Sequence, residues 1–261
     1  MDRWCRVRKE KCVTDNPFVT FVVTDSLEAP ASAQRIARAA ELGLGLTPES
    51  SDHEHIDSFR VEGDMLLGVV QMRAPIPDFE NYPTSVFSPP LEQLQAARSH
   101  LILTTVGLPS DPVMRRTLQA VLCAAVVSAT QAIAVGLGHG WYAASVLDSL
   151  AEGASRDASP SGLLLVDITC VTEPSGATSF LTSGMDRAGR EEELFLTCPQ
   201  RTKTERDWVF DLVNMLVADP TYNFPPTGHT VGRDANERIL VKREPNPTGS
   251  GLPVVRLDLP A

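Results

Sequence analysis

The first clear pattern along the chain is residues 17–24 (PFVTFVVT), where β-branched and aromatic side chains predict a strand. Residues 31–44 follow with Ile36, Ala39, Ala40 and Gly43 on one helical face and Arg35, Arg38 and Glu41 off it, and Gly43 and Gly45 stop the helix. A polar loop at 49–57 leads to two apolar segments, 59–61 and 65–72, which flank Glu62-Gly63-Asp64, a hairpin signal. The second of these is nearly continuous in apolar residues from Met65 to Val70, which predicts a strand covered on both faces. Pro75 and Pro77 end it, because proline cannot donate to a ladder. A Pro/Ser-rich link at 81–90 precedes a short amphipathic helix at 91–97 and a strong strand at 100–107. Ser110-Asp111-Pro112 then opens the longest helix, with Ser or Asp as cap and Pro in the first turn, and the pattern carries it to about residue 132. A short strand at 133–135 closes on a glycine cluster, and 141–151 reads as helix again.

Residues 155–161 are small and polar and mark the best boundary in the chain. Beyond it, 162–172 and 177–183 pair around Pro174-Ser175-Gly176, a turn signal, and 194–197 continues the sheet. Residues 204–217 place Trp208, Leu212, Met215 and Leu216 on one helical stripe. Residues 228–232 form a turn before a short strand, and 238–243 with 252–259 make a final strand pair. Strands recur in clusters, each followed by helices able to cover one face, without βαβ alternation. The expected fold is therefore α+β, with mixed, largely antiparallel sheets covered by helices. Its two parts, 1–154 and 162–261, form one interlocked unit or two tightly packed lobes.

Composition and charge narrow the function classes. The 261 residues are 43% hydrophobic and 21% charged, as in an ordinary globular protein. Lys+Arg number 23 against 33 Asp+Glu, a formal net charge of −10. Such a surface repels phosphate backbones and anionic membranes and steers toward basic proteins, so a basic protein partner is expected and nucleic acid and membrane are not. The apolar stretch 118–137 holds Gln119, Ser128, Thr130 and Gln131, which argues for a buried helix rather than a membrane span. Five cysteines at irregular spacing do not read as a disulfide framework, and Cys123 in an apolar run behaves as a small hydrophobe. The basic first residues lead into no apolar core of a secretory signal, and a cytoplasmic location is expected.

Candidate chemistry is sparse. Asp52-His53-Glu54-His55-Ile56-Asp57 is the densest set of metal-capable side chains, but no second ligand pair completes it. Cys5 and Cys12 likewise lack partners at zinc-site spacing. Gly136-Leu137-Gly138-His139-Gly140 has the wrong glycine spacing for a phosphate cradle and reads as a turn. No nucleophile elbow or P-loop is present. Neither a metal nor a cofactor is expected, nor an enzymatic reaction. The acidic stretch 183–193, ending in Glu191-Glu192-Glu193, reads as a hydrated hairpin loop or as a contact surface for a basic partner.

Several segments together resemble the bacterial domain-of-unknown-function family number 4261. These are 68–77 (GVVQMRAPIP), 99–107 (SHLILTTVG) with the Ala-rich helix after it, the paired strands at 163–170 and 178–181, the turn at 185–189, the helix at 207–217 and the closing segments 227–232, 238–242 and 254–259. The resemblance covers most of the chain after Phe59, departs at 135–140, and implies a cytosolic bacterial α+β protein. Proteins of this kind are also similar to immunity (antidote) proteins paired with type VI secretion toxins. On that likeness the chain is expected to bind and neutralise a cognate toxin, such as a nuclease, by occlusion. The expected contacts are Asp186, Glu191, Glu192 and Glu193, with Asp52, Glu54 and Asp57 as a second patch. The alternatives are a small-molecule or enzymatic pocket around Gly136, His139 and Trp141, and a self-associating scaffold such as a homodimer.

Overall fold

A computed structural model describes residues 18–25, 32–49, 56–61, 64–76, 85–137, 140–156, 161–172, 174–199, 203–219, 221–249 and 251–259. The chain divides into two compact units, Met1–Pro160 and Ser161–Ala261. Each is an α+β unit built on one largely antiparallel sheet.

The first unit runs β1 (Phe18–Thr24), α1 (Ser32–Glu41), β2 (Leu46–Glu49), β3 (Ile56–Val61), β4 (Leu66–Met72), α2 (Leu91–Ala96), β5 (Ser99–Val106), α3 (Pro112–Val127), β6 (Ala132–Gly136), β7 (Trp141–Ala143) and α4 (Ala144–Arg156). The strands order as β2-β3-β4-β5-β1-β6-β7, and every neighbouring pair is antiparallel. Strand β1 thus enters the middle of the sheet, between β5 and β6.

Helix α3 is the core element. Asp111 caps it, its carboxylate accepting from the Met114 N–H at 2.7 Å, with Pro112 in the first turn. All residues from Arg116 to Val127 are buried, so the helix is covered all round, as its apolar run foretells. Gln119 reaches down to donate to the Thr20 hydroxyl on β1. Cys123 lies in this core, where burial pushes its thiol pKa up to about 12, an inert small hydrophobe. The helix ends at Val127, five residues before the predicted stop. Ser128 turns there to donate its hydroxyl to the Ala124 carbonyl and to Asp148.

Two further expectations change. Strand β4 is covered on one face only: Leu67, Val69 and Gln71 are buried while Leu66 and Met72 are exposed. Trp141 and Tyr142 belong to strand β7, not to the helix that begins at Ala144, because β6 and β7 close a hairpin through 137–140. Short helix α2 covers part of the other face, where Val23, Ile76, Leu94, Ala97, Ala134 and Trp141 pack together. Arg38 on α1 holds the helices to one another. Its guanidinium, with pKa raised chiefly by Asp148 and Glu152, meets Asp148 at 2.8 Å and Glu152 at 2.7 Å on α4 and Glu41 on its own helix.

The second unit runs β8 (Asp167–Thr172), β9 (Thr178–Ser183), β10 (Glu193–Cys198), α5 (Lys203–Ala218), β11 (Thr230–Val231), β12 (Ile239–Glu244) and β13 (Val254–Asp258). Its order is β11-β12-β13-β10-β9-β8; β10 and β13 are parallel and the other neighbours antiparallel. Helix α5 buries Val209, Leu212, Val213 and Leu216. The predicted stripe is therefore rotated: Met215 is exposed, and Trp208 lies half-buried beneath the Arg233 guanidinium, 5.7 Å from its ring centre. Asn214 accepts from the Gly162 N–H at 2.8 Å, tying the helix to the entry of the unit, where a Cβ on Gly162 would stand 3.0 Å from the Val213 carbonyl. Among the described residues no helix is long and apolar enough to cross a membrane.

Three outcomes follow. Replacing Arg38 with Ala leaves three carboxylates without their shared cation, and urea unfolding should show a loss of roughly 1–3 kcal/mol. Arg156→Ala, which removes one exposed i,i+4 pair, should stay within about 0.5 kcal/mol of the parent. For Asp258, burial opposes ionisation, but Lys242 and Arg256, each 2.7 Å away, outweigh it and hold the carboxyl below the usual Asp range. A depressed folded-state pKa stabilises above the ordinary Asp value and is lost as pH falls through the folded value. Melting temperature should therefore fall with acidification less steeply in Asp258→Asn than in the parent, by circular dichroism from pH 6 downward.

Candidate functional site

The predicted acidic stretch begins where β9 ends. Gly184 has φ +101° and Gly189 has φ +74°, and these two left-handed glycines bracket a single 3-10 turn, Met185–Ala188. Gly184 also lies under the Arg187 side chain, which reaches back to the Leu165 carbonyl at 3.1 Å; a Cβ there would collide with the guanidinium. Met185 is buried beneath the turn, so the loop is folded inward as well as hydrated.

Glu193 opens β10 and points inside. Its carboxylate accepts from the backbone N–H groups of Gly184 at 2.8 Å and Met185 at 3.1 Å, and from the Thr182 hydroxyl at 2.6 Å. Thr182 in turn accepts from the Leu194 N–H at 2.7 Å. With 5% of its surface exposed, Glu193 is no contact residue, which corrects its place among the expected ones. Sequence counting grouped it with Glu191 and Glu192, and alternation along β10 buries Leu194, Leu196 and Cys198; Glu193 turns inward because donors from Gly184, Met185 and Thr182 converge on it.

Around this turn opens a cavity of about 620 Å³ lined by Glu191, Glu192, Arg190, Tyr222, Asn223, Phe224 and Arg243 over an apolar floor that includes Leu216 and Val255. Both arginines are engaged. Arg190 caps the C-terminal end of α5, donating to the carbonyls of Leu216 at 2.9 Å, Asp219 at 2.7 Å and Tyr222. Arg243 pairs with Glu192 at 2.6 Å and donates to the carbonyls of Pro225 and Phe224. The Asp219 carboxyl is held below its usual range, first by the Thr221 hydroxyl and then by the Thr221 N–H. Tyr222 and Phe224 meet edge to face at 5.7 Å.

Charge accounting singles out two acids. Glu192 is paired with Arg243, and Glu193 is turned inside onto N–H and O–H donors. Glu191 on the cavity rim and Asp186 on the turn are exposed, and neither is ion-paired among the described residues. Such a rim, with a carboxylate beside an aliphatic and aromatic floor, suits a cationic side chain whose stem is apolar.

The second expected patch does not form in the same way. Asp57 on β3 pairs with Arg35, a side chain 1% exposed on α1 whose pKa burial lowers against the opposing pull of Asp57. It joins helix to sheet, partly exposed but already engaged by Arg35. Asp52 and Glu54 lie outside the described residues, as do His53, His55, His139, Cys5 and Cys12. At the alternative pocket, the Trp141 ring fills the space over Gly136, where a Cβ would come within 2.9 Å, and Leu137 donates to the Gly140 carbonyl. The described part of that segment is a packed hairpin turn.

Sequence reasoning missed Arg190, Arg243 and the 222–224 wall. The Pro-rich, aromatic stretch 220–226 was the only local signal. The arginines carried none, since their acceptors are backbone carbonyls contributed by distant elements.

No protein-family model, curated protein or solved structure matches the chain.

Glu193→Gln keeps the shape but turns an N–H₂ toward donors, so urea unfolding should show a loss of about 2–4 kcal/mol. Glu191→Gln, on the open rim, should leave the transition midpoint unchanged.

Proposed function

We propose that the chain is an immunity-type binding protein that neutralises a cognate toxin, such as a nuclease, by occluding a basic surface on it. The observation that supports this reading is the open cavity of the second unit, where Glu191 is exposed and in no ion pair among the described residues, and where Glu191, Glu192 and Glu193 outnumber the cations Arg190 and Arg243. A nuclease is basic where it grips phosphate, and an acidic rim competes for that surface through long-range steering and direct pairing. The net charge of −10 adds to the attraction at distance. Asp186 extends the rim, and Glu192 joins it as one half of an ion pair that a competing guanidinium can share. The partner is a protein, and the location that fits the pairing is the cytoplasm of the producing cell.

The test is co-expression with the product of the adjacent gene, scoring host survival and co-purification. Charge reversal by Glu191→Lys should weaken the complex at least tenfold and reduce protection, while the purified variant keeps the parental melting curve. Raising salt should weaken the parent complex and narrow the difference between the two. Equal protection and equal affinity in the Glu191→Lys variant would contradict the reading.

A further inference from the structure

The cavity of the second unit already holds two guanidinium groups of its own chain. Arg190 is seated on the carbonyls of Leu216, Asp219 and Tyr222. Arg243 is seated on those of Phe224 and Pro225, with the Glu192 carboxylate beside it. Glu191 differs. It stands exposed on the rim, in no ion pair among the described residues. The opening beside it, about 620 Å³, admits a long side chain together with the backbone that bears it.

A cation entering this space meets three kinds of surface. Glu191 gives a carboxylate at the mouth. Tyr222 and Phe224, edge to face at 5.7 Å, give an aromatic wall, and buried Leu216 and Val255 give an apolar floor. The backbone carbonyls at this end of α5 and of the 222–225 segment add little, because Arg190 and Arg243 already occupy them. An ammonium is a compact, strongly hydrated charge with three donors, and it needs several acceptors to replace its water. Here it meets one open carboxylate over an apolar floor. A guanidinium is weakly hydrated, meets a carboxylate through two parallel N–H donors and stacks on an aromatic ring. The lining suits the planar cation better than the compact one.

We propose that the cavity is a seat for one arginine side chain of the partner protein and selects it over lysine. Glu191 pairs with the guanidinium, Tyr222 carries its plane, and the Leu216–Val255 floor takes the apolar stem. The occupant is a side chain within a protein rather than the free amino acid. Free arginine brings an α-carboxylate into a lining where Glu191, Glu192 and Glu193 outnumber the two arginines, and like charges repel there. This inference rests on the reading that the cavity receives a basic partner, and it adds which basic residue is read. The partner then carries an arginine, rather than a lysine, at the centre of the surface that is occluded.

The experiment titrates the full chain with a capped arginine peptide, the same peptide with lysine in its place, and free arginine, each into the millimolar range, and fits dissociation constants from amide chemical shifts. The arginine peptide should bind at least fivefold more tightly than the lysine peptide and more tightly than free arginine. Glu191→Gln should weaken the arginine peptide at least fivefold, and Tyr222→Leu should narrow its lead over the lysine peptide, with each variant compared at the parental melting temperature. Equal binding of the two peptides, no binding of either, or tighter binding of free arginine would each overturn the inference. Host protection on co-expression is a separate readout. Protection without arginine preference removes the arginine seat and leaves the toxin reading, and arginine preference without protection does the reverse.

Discussion

Glu193 sets a carboxylate where two backbone N–H groups and a hydroxyl converge, and the face described for the second unit depends on that convergence. An ionised carboxyl placed out of water is tolerated only when its oxygens are fully matched. Here the match comes from the left-handed Gly184, which aims its own N–H and that of Met185 at one point, and from the Thr182 hydroxyl on the neighbouring strand β9. The same turn then has no freedom to shift. Glu191 and Asp186 project from it in fixed directions because the residue next in line is anchored. A buried charge thus positions the exposed ones.

The two arginines of the cavity extend the same logic. Each satisfies carbonyls that would otherwise stand unpaired at the end of a helix or in a loop. Arg190 closes the C-terminus of α5, and Arg243 ties β12 to the 224–225 segment and to Glu192. Arg243 is paired with an acid, and the lining keeps a negative sign because Glu191, Glu192 and Glu193 outnumber the two arginines. In the first unit, ion pairs serve packing instead: Arg35 with Asp57 joins α1 to β3, and Arg38 joins α1 to α4. The difference follows from burial. An acid opposite a buried arginine is consumed by it, whereas an acid on a turn over an open cavity is not.

Much of the architecture was legible because it rests on local patterns. The strand at 17–24, the Asp111-Pro112 cap, the 174–176 turn and the α+β class need only nearest-neighbour chemistry and periodicity. What failed depended on tertiary context. The apolar run of β4 looked doubly covered, but its side chains alternate, with Leu67 and Val69 buried and Leu66 and Met72 exposed. The α5 stripe was rotated because Trp208 found Arg233 instead of the core. Among the acids, composition could not separate Glu193 from Glu191, two residues away, since only the donors that the Gly184 turn brings to Glu193 draw it inward. The arginines were invisible for a different reason: a guanidinium that caps carbonyls has no sequence spacing to its acceptors.

The central claim is that the cavity rim of the second unit carries surplus negative charge able to seat a cationic side chain. The most direct measurement is an amide chemical-shift titration of the full chain with a short arginine-containing peptide, alongside its glutamate counterpart. The account predicts shifts at Glu191, Leu216, Tyr222 and Asn223 with the arginine peptide alone, suppressed by about 0.5 M salt. Shifts confined to residues elsewhere, or equal responses to both peptides, would contradict it.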